Sequence, residues 1–137
     1  SAVTRSGAAV GFGANTKCTQ AAATFVDDAT GTLLLHHDDG GAVIAIALHP
    51  DRTLGARMTV ASPALEPRAA ATTDGTWVSY ATSGMLEAAL VDGTGAPGTK
   101  VMLGAIADAT SQTVVTAGDT AYALWLDGDL EIARLCP

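Results

Sequence analysis

Thr32, Thr76 and Thr120 are spaced by 44 and 44 residues, and each opens a similar run: TLLLHHDDGG, TWVSYATSG and TAYALWLDGD. Each run leads into a second apolar stretch (AVIAIALHP, MLEAALVDG, LEIARLCP) and follows a small-residue one (AAATFV, AAATT, QTVVT). A period of this size means one supersecondary unit copied and stacked, because a single copy cannot bury its own apolar face. Asp74-Gly75, Gly118-Asp119, Gly40-Gly41, Asp127-Gly128 and Asp92-Gly93 punctuate the runs. Gly and Asp tolerate positive φ, so these pairs predict hairpin turns between short strands.

Four strands, a to d, follow from the copies. Strand a covers about 21–26, 69–73 and 112–116, and strand b about 32–37, 76–81 and 120–125. Strand c covers about 42–49, 85–91 and 129–135, and strand d about 55–60 and 98–103. The third copy has no d. Gly13-Ala-Asn-Thr-Lys-Cys18 resembles Gly55-Ala-Arg-Met-Thr-Val60 and supplies a closing strand over about 13–20. One domain of 1–137 thus holds repeats over about 21–62, 63–105 and 106–137. Met85–Val91 and Leu130–Leu135 have good helix propensity, but helices so short are marginal, so the repeat decides for strand.

Composition narrows the partners. The net charge of −7 repels phosphate backbones and argues against nucleic acid. No apolar run approaches the roughly 18 residues of a membrane span. The chain opens on Ser1 without Met or an apolar leader, which predicts a mature, processed or excised product. Cys18 and Cys136 belong to no CxxC or Cys/His cluster, so zinc has no support. They predict a disulfide tying the ends together; the alternative is two unpaired thiols in a reducing compartment.

The four-strand repeat, its turn-Gly-Thr opening and its Asp-Gly turns resemble a β-propeller blade. The likeness is to secreted bacterial propellers with the loose pattern A-x-x-DGT-x-x-x-x-W. Ala71-Thr-Thr-Asp-Gly-Thr76 matches the opening and Trp125 takes the Trp slot, while His37 and Ala81 depart from it. The resemblance covers about residues 13–137. It implies an all-β fold of three four-stranded antiparallel blades, and a secreted or periplasmic location. Ala70 and Ala71 would then lie near the axis where blades converge. Three blades do not close a ring. The chain is therefore expected to be half of a six-bladed homodimeric ring, or part of a larger propeller completed by further blades. A β-trefoil is the alternative fold, and the staggered d-abcd-abcd-abc order favours the propeller over it.

No catalytic constellation stands out. Gly93-Thr-Gly-Ala-Pro-Gly98 spells GxGxxG, but a strand follows where a dinucleotide site needs a helix. His36-His37-Asp38-Asp39 is the densest cluster of potential ligands. Neighbours on a strand face opposite sides, so His36 and His37 do not converge on one metal. No cofactor is implied. In the propeller reading the b–c and d–a loops share one end, where propellers carry their ligands. That end would hold His36, His37, Asp38, Asp39, Thr82, Ser83, Trp125, Asp127, Asp129 and, from a d–a loop, Glu66 and Arg68. The expected function is a non-enzymatic extracellular binding or scaffold module for a glycan or protein. The alternatives are part of a propeller-type hydrolase or lyase, or a lectin.

Overall fold

The computed structural model describes residues 2–3, 9–10, 24–28, 31–38 and 40–137. The expected closing strand over 13–20, Cys18 and Asp39 lie outside the described residues. So does the expected disulfide; Cys136 is an exposed, free thiol.

The described residues are all-β, without helix. Strands β1 (Ala2–Val3) and β2 (Ala9–Val10) pair with each other. Strands β3 (Thr24–Asp28), β4 (Gly31–His37), β5 (Val43–Leu48) and β6 (Leu54–Ala61) form an antiparallel meander. A second meander consists of β7 (Leu65–Thr72), β8 (Gly75–Thr82), β9 (Met85–Val91) and β10 (Pro97–Ala105). The third has three strands, β11 (Gln112–Ala117), β12 (Thr120–Asp127) and β13 (Asp129–Leu135). The helix-prone segments 85–91 and 130–135 are strands, because each pairs along its length with β8 or β12.

Turn chemistry sets the hairpins. Gly75 sits at φ 135°, and a Cβ there would meet the Val91 carbonyl oxygen at 2.7 Å, so only glycine fits. Ser83 (φ 50°) and Gly84 (φ 77°) make the two-residue β8–β9 turn with positive φ at both positions, the type I′ geometry that matches strand twist. Three Asp-x-Thr turns recur. In each, one oxygen of Asp51, Asp92 or Asp108 accepts from both the backbone N–H and the hydroxyl of the Thr two residues on, at 2.6–3.0 Å. Side-chain oxygens that mimic a backbone turn explain these carboxylates.

The sheets stack in chain order. Strand β7 packs against β3 on one side and β11 on the other. Leu33, Leu35, Val43 and Ala45 of the first sheet meet Val78, Tyr80, Ala89 and Val91 of the second. On the second sheet's other face, Trp77, Ala81, Leu86 and Ala88 meet Val114, Ala121, Ala123 and Trp125 of the third. Ala70 and Ala71 are half-buried on opposite faces of β7, Ala71 against the first core and Ala70 against the second. The second sheet is thus buried on both faces, and β8 reads as a continuous buried run.

The third repeat differs from the sequence alignment by one residue. The first hairpins close Asp28↔Gly31, Thr72↔Gly75 and Ala117↔Thr120. Thr120 therefore stands where Gly75 does, and the second spacing is 45 rather than 44. A one-residue slip exchanges the faces of a strand. His36, Tyr80 and Trp125 become equivalent, so the aromatic slot is filled in all three copies. Trp125 is 5% exposed, and its indole lies over Gly104, where a Cβ would approach the ring to 3.3 Å. Its Nε1–H donates to the Ala105 carbonyl at 3.1 Å, the partner a buried indole requires. That fit fixes the register.

Candidate functional site

The β4–β5, β6–β7, β8–β9 and β10–β11 loops gather at one end of the stack. Backbone bonds tie them in pairs: Ala64 N–H donates to the Gly41 carbonyl and Ile106 N–H to that of Gly84, each at 2.9 Å. The repetition of this tie in two copies makes the loop end a built feature. Between the tied loops lies a cleft of about 390 Å³. Its walls are Gly41, Pro63–Leu65, Ala81–Gly84, Ile106, Ala107 and Ala109. Ala64, Ala81 and Ile106 are buried and form its floor, while Thr82 and the exposed Ser83 bring hydroxyls to its rim.

A polar clip holds the second and third sheets together. Gln112 is 5% exposed; its Nε2 donates to the Glu66 carbonyl at 2.6 Å, and its Oε1 accepts from the Ser79 hydroxyl. Glu66 lies in the left-handed region at φ 53°, so the clip restrains a bend just beyond Leu65 of the cleft wall. At the opposite end, Asp119 accepts from the backbone N–H and the hydroxyl of Thr73, bracing two equivalent turns.

The residues expected at the site are spread over the molecule, and of those described only Thr82 and Ser83 line the cleft. His36 is 3% exposed and shares its sheet face with Leu34, Ile44 and Ile46. His37 points to the opposite face, and the Nε2 atoms of both are buried without a partner. Burial holds the His36 pKa below that of an ordinary histidine. Asp38 caps its own loop by accepting from Gly40 and Ala42 N–H, with Arg57 at 3.7 Å. Arg68 donates to Glu66 at 3.3 Å and to the Pro67 carbonyl. Trp125 is packed in the core, and Asp127 and Asp129 are exposed at the β12–β13 turn. Thr82 and Ser83 are the expected loop residues that the cleft uses. The walls at 63–65 and at Ile106, Ala107 and Ala109 carry no chemical signal in the sequence; their one clue is that both segments follow a d strand.

The Thr hydroxyls and backbone N–H groups of the Asp-x-Thr turns lower the pKa values of Asp51, Asp92 and Asp108, and Thr73 does the same for Asp119. These carboxylates are kept ionised and occupied in turns. Tyr80 is raised well above an ordinary phenol, first by burial and then by the Glu87 carboxylate, which its hydroxyl meets at 3.2 Å. Among the described residues no three His, Cys, Asp or Glu side chains gather as a metal site would need. None of the residues lining the cleft is titratable. What it offers is an apolar floor, two hydroxyls and backbone groups: means of binding, without a positioned acid, base or activated nucleophile. No family model, no curated protein and no solved structure matches this chain.

Proposed function

We propose that this chain is a non-enzymatic binding module, built as a stack of three propeller-type blades that presents its ligand cleft on the b–c and d–a loops. The observation that carries this reading is the cleft itself: tied loops from successive repeats, an apolar floor and a hydroxyl rim. The ligand that suits it is an apolar side chain of a protein or peptide, its backbone hydrogen-bonding at the rim. A glycan is less well served, because the sugar-stacking candidate Trp125 is turned into the core. The extracytoplasmic setting rests on the likeness to secreted propellers.

A displayed random-peptide library tests the reading. The wild type selects peptides that share an aromatic or branched apolar anchor. Ala107→Trp fills the cleft from an exposed wall position and abolishes their binding while leaving the circular dichroism spectrum unchanged. Failure to select any peptide, or selected peptides that bind Ala107→Trp equally well, refutes the assignment.

A further inference from the structure

The third sheet lacks on one side what the other two have. Strand β5 pairs with both β4 and β6, and β9 with both β8 and β10, but among the described residues β13 pairs with β12 alone. Its other edge therefore offers a row of backbone N–H and C=O groups, a template for another strand. The loop tie is missing too. Gly41, Gly84 and Gly128 each stand two residues before equivalent strand-c positions, Val43, Leu86 and Leu130, which pair with His37, Ala81 and Leu126. The first two glycine carbonyls accept from Ala64 and Ile106 N–H, whereas that of Gly128 has no backbone donor among the described residues.

We propose that the free edge of β13 takes up an extended, basic segment of a partner polypeptide as an antiparallel fourth strand. Charge selects that occupant. The fourth strands of the two complete sheets carry a cation in the same slot: Arg57 stands opposite Ile46 and Lys100 opposite Ala89, positions whose counterpart on β13 is Ala133. Arg57 reaches Asp38 at 3.7 Å, and Asp38 corresponds to Asp127, since each follows the residue paired to Val43 or Leu130. The third sheet thus keeps the acid and lacks the cation. Asp127 and Asp129 stand opposite each other at the β12–β13 turn, and Glu131 is opposite Trp125, so all three acids share the inner side of the hairpin with that indole. All three are exposed, and none is in an ion pair with a described residue. Asp129 and Glu131 lie about 7 Å apart along the edge, the repeat of alternate side chains on a paired strand. The outward side of the same hairpin is apolar: Ile132 is 61% exposed, Leu130 59% and Leu126 50%. A strand with basic side chains on one side and branched apolar ones on the other complements both. A second copy is poorly matched, because setting β13 against β13 doubles the acidic row between two chains of net charge −7. The edge shares no residue with the cleft, so the proposal stands apart from the cleft reading.

A capped heptapeptide of alternating Lys and Val, as long as β13, is the probe. The wild type binds it saturably in fluorescence anisotropy, and a nitroxide on the peptide broadens the β13 amide resonances more than those of the cleft loops. The same peptide N-methylated at every residue keeps its charge but cannot pair with a strand edge, and it does not bind. Asp129→Lys with Glu131→Lys weakens the Lys–Val peptide by about 10-fold or more and takes up a Glu–Val peptide of equal length instead. Asp129→Asn with Glu131→Gln stands in if that variant fails to fold, with a smaller loss of about 3-fold. Absence of binding overturns the proposal. Equal binding of the N-methylated peptide does so too, since it reduces the effect to attraction between net charges. So do charge variants that bind the Lys–Val peptide as the wild type does, or broadening centred on residues 81–84. A wild type already dimeric, with its β13 amides protected from exchange, would give the edge to a second copy and likewise overturn the proposal.

Discussion

Removing the Gln112 side chain tests whether the second and third sheets are held as described. Gln112→Ala leaves the Ser79 hydroxyl without a partner in a fully buried position. It also strips a 2.6 Å donor from the Glu66 carbonyl. An orphaned buried polar group costs about 1–3 kcal/mol. Glu66 is half-buried, so water replaces part of its loss, whereas none reaches Ser79. With a small cavity term added, the expected cost is about 2–4 kcal/mol, a large share of the roughly 5–15 kcal/mol that a domain has. Ser79→Ala is milder, at about 1–2 kcal/mol, because Gln112 keeps its bond to Glu66. The two changes are coupled: the double variant loses about 1 kcal/mol less than the sum of the singles. Urea denaturation with linear extrapolation measures all three. A Gln112→Ala cost below about 0.5 kcal/mol, the level of an ordinary surface change, or strictly additive variants, would show that the clip does not exist.

Three further outcomes follow from the buried and capped groups. His36→Phe matches the aromatic slot of Tyr80 and Trp125 and removes an orphaned Nε2, so it stabilises by about 1 kcal/mol at neutral pH. Because the folded-state pKa of His36 is lowered, the unfolded chain takes up the proton first, and the wild type loses stability as pH falls below about 6.5; the advantage of the Phe variant must widen from there. Asp119 has a lowered folded-state pKa, so its contribution is present above the unfolded value near 3.9 and is lost as pH falls through the lower folded one. Asp119→Asn therefore flattens the acid limb of a stability–pH curve below about pH 4, and an unchanged limb counts against the Thr73 bracing. Tyr80 does not ionise in the usual phenol range, so the wild type and Tyr80→Phe give superimposable phenolate absorbance titrations up to about pH 11; a lost step in the variant would contradict the burial.

The strands were legible in the sequence because turn chemistry and repetition both mark them. Asp74-Gly75 and Gly118-Asp119 flank real hairpins, and the repeat correctly overrode helix propensity at 85–91 and 130–135. The faces of the third sheet were less legible. Aligning on Thr120 was natural, but the ring of Trp125, the flat backbone at Gly104 and the Ala105 carbonyl set a spacing one residue longer. That is a tertiary fit, and no local pattern encodes it. The candidate site was the least legible. A sequence reading weights charged and aromatic residues, yet here aspartates such as Asp51, Asp92 and Asp108 serve turns, His36 is buried by β4 packing, and Trp125 is core. The cleft is walled mostly by Ala and Gly, with Pro63, Leu65, Thr82, Ser83 and Ile106, residues whose chemistry attracts no notice until the loops are brought together.

The register of the third sheet decides which face meets the second sheet, where the clip closes and which apolar face is left open, so one measurement bears on all three. In a nuclear Overhauser spectrum of the wild type, the Trp125 indole protons must show cross-peaks to the Gly104 α-protons, since a Cβ at Gly104 would lie 3.3 Å from the ring. Indole cross-peaks to the Leu124, Leu126 and Ile132 methyls with none to Gly104 would put Trp125 on the outward face and contradict the account.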